Sequence, residues 1–171
     1  MDEMIVPHDP EAVEARMQLL RELIIATHRK DKDARRQLTA ALDEQQWSDV
    51  SIVVSAATQV AVKLHHDAIV VAGREEWVKL FGQEMMNHHA DWMRLQAGQI
   101  TGMLRSTFGN IRLALTVPKS TRCRLQVTMV EYMITASLEL RDIFEDELDD
   151  VLTEAVTLAS RRAFVDEFEG D

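Results

Sequence analysis

Cysteine, proline, glycine and aromatic residues are all scarce in this chain of 171 residues, and each shortage excludes a class of protein. The single cysteine, Cys123, rules out an internal disulfide framework and fits a reducing compartment. The 3 Pro and 6 Gly leave little turn chemistry, which argues against a fold of many β-strands. Aromatic residues make up 5% of the chain, whereas 9 Met and many Ala and Leu favour helix.

The sequence also lacks the common signatures of catalysis, cofactor binding and membrane insertion. It contains no HExxH, no GxxxxGK[ST], no GxGxxG and no Glu-x-x-His. No apolar segment follows the acidic start, so we expect no secretory signal. Polar and charged residues interrupt the most apolar stretch, and a membrane span needs about 20 nearly uninterrupted apolar residues. We therefore predict a cytoplasmic protein without a membrane span, without a cofactor and without an assignable catalytic residue.

Charge is sorted along the chain, whose formal net charge is −10. No acidic residue lies between Asp91 and Glu131, a stretch that holds six Lys and Arg residues. From Glu139 to the end there are twelve acidic residues and three Arg residues. Complementary charge steers association and fixes its orientation, so the pattern favours a binding role. Mimicry of nucleic acid by the acidic end is one possibility, although such runs are usually solvated helix faces.

The hydrophobic pattern predicts an all-α protein. We expect a flexible N-terminus over residues 1–8 and a single domain over residues 9–168. That domain is predicted to be a bundle of five to seven helices around a central apolar helix at Val50–Ala72, because the segment is apolar nearly all round. The competing interpretation takes Val50–Val54 and Ala68–Val71 as β-strands, since β-branched residues dominate both.

Several helix boundaries are marked by residues with known preferences. Pro10, between two acidic residues, predicts the start of the first helix. Asp31 or Asp33 is expected to cap a second helix, and Gly73 to end the apolar one. No Gly or Pro occurs over Lys119–Glu169, which predicts one very long helix or two helices.

Two helices in that C-terminal stretch would be joined within Glu145–Asp150. A long helical pattern and a stripe of large apolar residues predict a homodimer, with an interface that is apolar at its centre. The predicted interface residues are Trp77, Phe81, Met85, Trp92, Phe144 and Leu148.

Paired histidines suggest a metal site. The chain contains His65-His66 and His88-His89, and imidazole is a common metal ligand. Glu84 lies four residues before His88 on one helix face, so the candidate ligands are His66, Glu84 and His88. The geometry is unfavourable within one chain, because a hairpin at Gly73 leaves a misfit of roughly 10 Å at 1.5 Å per residue. The alternative is that His88 is a hydrogen-bonded core histidine.

A basic segment suggests an anion site. Hydroxyl groups, cations and unpaired backbone N–H groups meet at a predicted helix start. The candidate residues are Arg112, Lys119, Ser120, Arg122 and Arg124, and Arg105 extends the segment. Cys123 lies between two Arg residues that would stabilise its thiolate, but an ordinary free thiol is the simpler interpretation.

These observations predict a non-enzymatic interaction or regulatory module of a bacterial type, recognising a protein partner and forming a homodimer. An anion-binding or nucleic-acid-binding protein that uses Arg105–Arg124 is the second hypothesis. A metal-binding helical protein that uses His66, Glu84 and His88 is the third.

Overall fold

The structure, a computed structural model, describes residues 10–44, 56–90, 94–108, 117–136 and 141–169, and all regular secondary structure in these ranges is helical. The α-helices are α1 (Pro10–His28), α2 (Lys32–Glu44), α3 (56–63), α4 (His66–Ala72), α5 (Arg74–His89), α6 (Ala97–Ser106), α7 (Lys119–Thr135) and α8 (Phe144–Glu169), with a 3-10 turn at Arg141–Ile143. The predicted all-α class is confirmed. No helix in these ranges carries an apolar stretch long enough to span a bilayer.

Three predicted boundaries agree with the structure. Helix α1 begins at Pro10. The carboxylate of Asp31 accepts a hydrogen bond from the backbone N–H of Ala34 at 3.1 Å, which satisfies one of the unpaired donors at the start of α2. Gly73 separates α4 from α5 with φ of +88°, a backbone conformation that L-residues with a Cβ rarely adopt.

The interior contains two apolar clusters, and α7 contributes to both. The first cluster joins α1, α2, α3, α7 and α8, and its α7 members are Val127, Val130 and Ile134. The second joins α3, α5, α6 and α7, and its α7 members are Leu125, Met129 and Met133. Opposite faces of α7 therefore form a shared wall between the two clusters.

This packing does not confirm a central helix at Val50–Ala72. Residues 50–55 lie outside the described part, and a turn at Leu64 separates α3 from α4. Helix α4 buries none of its residues. The helix that is buried on most sides is α7, whose polar residues Gln126, Thr128 and Glu131 are almost fully enclosed. Those polar residues interrupt the apolar pattern of α7, so hydrophobicity alone did not identify this helix. The eight α-helical segments of the described residues also exceed the predicted five to seven.

The C-terminal stretch contains two helices, as one of the two interpretations predicted. The separation lies earlier than predicted, because α7 ends at Thr135 and α8 begins at Phe144, ahead of the expected junction at Glu145–Asp150. The predicted domain limits at residues 8 and 9 lie outside the described residues.

Part of the acidic charge of α8 is paired within the chain. The pairs are Arg21 with Asp149, Arg29 with Glu145 at 2.7 Å and Lys63 with Glu154 at 2.9 Å. Arg21 lies in α1, Arg29 directly follows α1, and Lys63 lies in α3. In the basic segment, Arg105 pairs instead with Glu75 of α5, at 3.1 Å.

Candidate functional site

A buried carboxylate surrounded by histidines lies where α1, α5 and α7 meet. Glu131 is in the last third of α7, and its side chain is 0% exposed. His28, the last residue of α1, and His88 and His89, the last residues of α5, all approach this carboxylate. We call these four residues the His–Glu cluster. Their sequence separation shows that the fold, and not a local motif, assembles the cluster.

The contacts with the carboxylate are short. Nε2 of His89 lies 3.0 Å from Oε2 of Glu131, and Nδ1 of His28 lies 3.1 Å from Oε1. Nε2 of His88 lies 3.8 Å from Oε1, beyond hydrogen-bond distance but within reach of an ion pair. His89 is fully enclosed, whereas the side chains of His28 and His88 are 31% and 33% exposed. The cluster therefore has one buried side and one side that solvent reaches.

The histidines keep Glu131 ionised. Burial by itself raises the pKa of this carboxyl, because a charge in the interior loses its hydration. The contacts with His28, His88 and His89 act in the opposite direction and outweigh burial, so the pKa of Glu131 falls well below its usual range. The site consequently presents a fixed negative charge to any cation or proton among the imidazole rings.

Neighbouring side chains hold the cluster in place. Oγ1 of Thr135 lies 3.0 Å from Oε1 of Glu131 and 2.9 Å from the Glu131 carbonyl oxygen, and both oxygens are acceptors for its single proton. The His28 ring is stacked on Phe144 with 4.0 Å between centroids. The Tyr132 ring lies 5.1 Å from the ring of His88. Rings fixed in this way keep their nitrogen atoms directed at Glu131.

The cluster only partly overlaps with the metal site predicted from sequence. Within the described residues, one group of three metal-binding side chains has its ligand atoms within 4.8 Å of one another, namely His88, His89 and Glu131. Of the predicted ligands His88 belongs to this group, while His66 and Glu84 lie exposed on α4 and α5. The sequence prediction missed Glu131, although an ionisable residue inside an otherwise apolar run was a usable signal.

The two histidines of the other pair, His65 and His66, lie in different environments. Nε2 of His65 donates a hydrogen bond to the carbonyl oxygen of Met133 at 2.7 Å, which ties the turn before α4 to α7. His65 also packs near Trp77 and Phe81, with ring centroids 6.0 and 5.4 Å away. His65 is thus a structural residue, and His66 faces solvent.

Exposed apolar residues are concentrated in one part of the described chain. Four of its five exposed large hydrophobic residues fall between residues 64 and 80: Leu64, Val70, Val71 and Leu80, the fifth being Ile143. Val70 is 67% exposed and Val71 is 87% exposed. We call Leu64, Val70, Val71 and Leu80 the α4 surface.

The predicted interface residues pack inside the chain. Trp77, Phe81 and Met85 belong to the second core cluster, and their rings and side chains are buried. Phe144 and Leu148 belong to the first cluster. Trp92 lies outside the described residues. Core packing accounts for the apolar stripe of α5 without a partner.

The structure describes only some of the residues of the predicted anion site. Arg124 is exposed, and Nη2 of Arg122 lies 3.4 Å from the carbonyl oxygen of Val117. Lys119 and Ser120 begin α7, but their side chains, that of Cys123 and the whole of Arg112 lie outside the described part.

Comparison of the sequence and fold with protein-family models, curated proteins and solved structures finds no match. The helical fold and its two sites therefore have to be interpreted from their own chemistry.

Proposed function

We propose that this protein is a non-enzymatic interaction module that forms a homodimer through the α4 surface. The observation that carries the proposal is the exposure of Val70 and Val71 on a helix that buries none of its own residues. Enclosing a Val side chain contributes about 1.5–3 kcal/mol, so a folded chain gains stability when such residues are covered. Neighbouring exposed apolar residues such as Val70 and Val71 are candidates for protein–protein contacts.

The charges around the α4 surface suit a second copy of the same chain. Asp67 and Glu76 are exposed acids, and Arg74 and Lys79 are exposed bases, all within α4 and α5. A two-fold interface brings one patch against its own copy, which requires both signs of charge on that patch. A strongly charged partner would instead require charges of one sign around the α4 surface. The acidic helix α8 is a weaker candidate for recognition, because Arg21, Arg29 and Lys63 already pair with it.

A charge placed on the α4 surface tests the proposal. We expect the wild-type chain to elute as a dimer in size-exclusion chromatography with light scattering at micromolar concentration. Val71→Asp should give a monomer with unchanged helical circular dichroism. Ile143→Asp is the matched control, because Ile143 is an exposed apolar residue outside the α4 surface, and it should leave the dimer intact. A monomeric wild-type chain, or equal loss in both variants, contradicts the proposal.

Anion binding is a second candidate, supported by a group of arginines. Burial lowers the pKa of Arg35 to about 10, with a further contribution from the positive charge of Arg124. Among the described side chains, Nε of Arg122 is buried without a hydrogen-bond partner. An anion near Arg35 and Arg124 would offset their repulsion, and Arg122 lies two residues before Arg124 on α7.

The test for the second candidate is binding of a fluorescent oligonucleotide at low salt. Arg122→Ala combined with Arg124→Ala should weaken binding at least tenfold. Arg36→Ala, which removes an exposed arginine of α2, serves as the control.

We also place the protein in the cytoplasm as part of the main proposal, since a single cysteine suits a reducing compartment.

A further inference from the structure

We propose that the His–Glu cluster is a binding site for one divalent transition-metal ion, with His28, His88, His89 and Glu131 as ligands. This inference is independent of the α4 surface and of the homodimer. It differs from the sequence hypothesis in three of its four ligands, because the fold brings His88 together with residues from α1 and α7.

The ligand atoms of three of these residues lie close enough together to share an ion. Four donors placed about 2.0–2.1 Å from a tetrahedral metal centre lie roughly 3.3 Å from one another. The contacts of 3.0 and 3.8 Å from His89 and His88 to the Glu131 carboxylate bracket that separation, and the ligand atoms of these three residues lie within 4.8 Å of one another. Nδ1 of His28 lies 3.1 Å from Oε1 of Glu131 but outside that group of three. Metal binding therefore requires small rotations of the His88 and His89 rings toward a common centre, and a movement of the His28 ring toward them.

The ligand types restrict the class of ion. Imidazole nitrogen with a carboxylate oxygen suits Zn²⁺, Ni²⁺, Cu²⁺ and Fe²⁺, whereas Ca²⁺ and Mg²⁺ require mostly oxygen ligands. Three imidazoles and one carboxylate fill a tetrahedral shell. A closed shell of this kind is typical of an ion that stabilises or regulates a fold, because catalytic zinc keeps one position for water. The ion would tie the ends of α1 and α5 to α7.

The surroundings satisfy two further requirements of a metal site. Thr135 donates toward Oε1 of Glu131, and Phe144 fixes the plane of the His28 ring, so two ligands are oriented by their neighbours. The partial exposure of His28 and His88 gives an ion a path from solvent. The fully enclosed His89 and Glu131 keep bulk water from the opposite side.

The competing interpretation is a hydrogen-bonded cluster that binds no ion. In that case the imidazole N–H groups and Thr135 simply satisfy the buried carboxylate of Glu131. Both interpretations predict that Glu131 is important for stability. They differ in whether added metal binds, and in which histidines that binding requires.

The experiment uses the full chain, freed of metal with a chelator and then titrated with Zn²⁺ by calorimetry. We expect one ion per chain and a thermal midpoint that rises with Zn²⁺ concentration. Co²⁺ in place of Zn²⁺ should give the visible absorption bands of a four-coordinate site. His28→Gln and His88→Gln should each weaken Zn²⁺ binding at least 100-fold. Both residues are partly exposed, and unchanged circular dichroism in the variants separates loss of a ligand from loss of the fold.

The matched controls are His66→Gln and Glu84→Gln, which alter exposed residues of the sequence-predicted trio. Both should bind Zn²⁺ as the wild type does. Failure of the wild-type chain to bind Zn²⁺ or Co²⁺ would overturn the proposal and leave the hydrogen-bonded cluster. Binding that survives in His28→Gln and His88→Gln, or that is lost in the controls, would overturn it as well. His89→Gln adds a measurement at the enclosed ligand if that variant folds.

Discussion

His89 and Glu131 form a fully enclosed pair, with 3.0 Å between Nε2 and Oε2 and no exposed side-chain surface on either residue. Removing one member of such a pair leaves the other in the interior without its partner. In metal-free protein we expect Glu131→Ala to lower the free energy of unfolding by about 3–5 kcal/mol. Urea denaturation followed by circular dichroism measures the change. Glu84→Ala, on the exposed face of α5, should change stability by less than about 0.5 kcal/mol. Equal effects in the two variants would show that Glu131 is not structurally important.

The depressed pKa of Glu131 predicts an acid-dependent stability. The unfolded carboxyl has a pKa of about 4.3 and the folded one a lower pKa, so between these values the unfolded chain binds more protons. The contribution of Glu131 is fully present above about pH 4.3 and is lost as the pH falls through the folded pKa. Urea denaturation of metal-free wild type and Glu131→Gln between pH 5 and pH 2.5 should show their difference shrinking toward acid. If the difference in free energy of unfolding between the two proteins stays constant over this pH interval, the lowered pKa of Glu131 is contradicted.

Two glycines should respond oppositely to replacement by Ala. Gly73 has φ of +88°, so Gly73→Ala places a Cβ on a strained backbone and should destabilise by about 1–2 kcal/mol. Gly82 lies within α5, where an added Cβ would meet Ile100 and Thr101 methyl groups at 3.5 Å, an ordinary contact. Gly82→Ala should stabilise by about 0.5–1 kcal/mol, because Ala favours helix and reduces the entropy of the unfolded chain. Thermal denaturation of both variants measures the two changes in stability. Changes of the same sign in the two variants would contradict the prediction.

The ion pair between Arg21 and Asp149 should contribute little and depend on salt. The hydrogen bond to Asp149 is the main cause that raises the pKa of Arg21, with burial opposing it. Because both side chains are partly exposed, solvent screens their attraction. A double-mutant cycle of Arg21→Ala and Asp149→Ala should give a coupling of about 0.5 kcal/mol, falling in 1 M NaCl. A coupling that is unchanged by salt would show that the pair is better shielded than its exposure indicates.

Local signals in the sequence predicted the boundaries of several helices. Pro10, Asp31 and Gly73 each act through the backbone of their immediate neighbours, so their effect is visible without the fold. The choice of the central helix depends on packing instead. The segment around Val70 is rich in Val and Ile yet ends at the surface, while Glu131 lies in the helix that the others enclose.

The metal-binding hypothesis shows the same limit. His88 was identified from the sequence because paired histidines are conspicuous. Its neighbours His28 and Glu131 are 60 and 43 residues away along the chain, and no periodicity links them. Glu131 carried a usable local signal as a charge among apolar residues, whereas His28 at the end of α1 carried none.

The position of α7 has a consequence for how the chain acquires its structure. Both apolar clusters need side chains that are supplied only after residue 119, by α7. The helices that precede α7 pack in pairs, α1 with α2 and α5 with α6, but neither apolar cluster is complete without α7. The two apolar clusters should therefore form and unfold together, in a single cooperative transition.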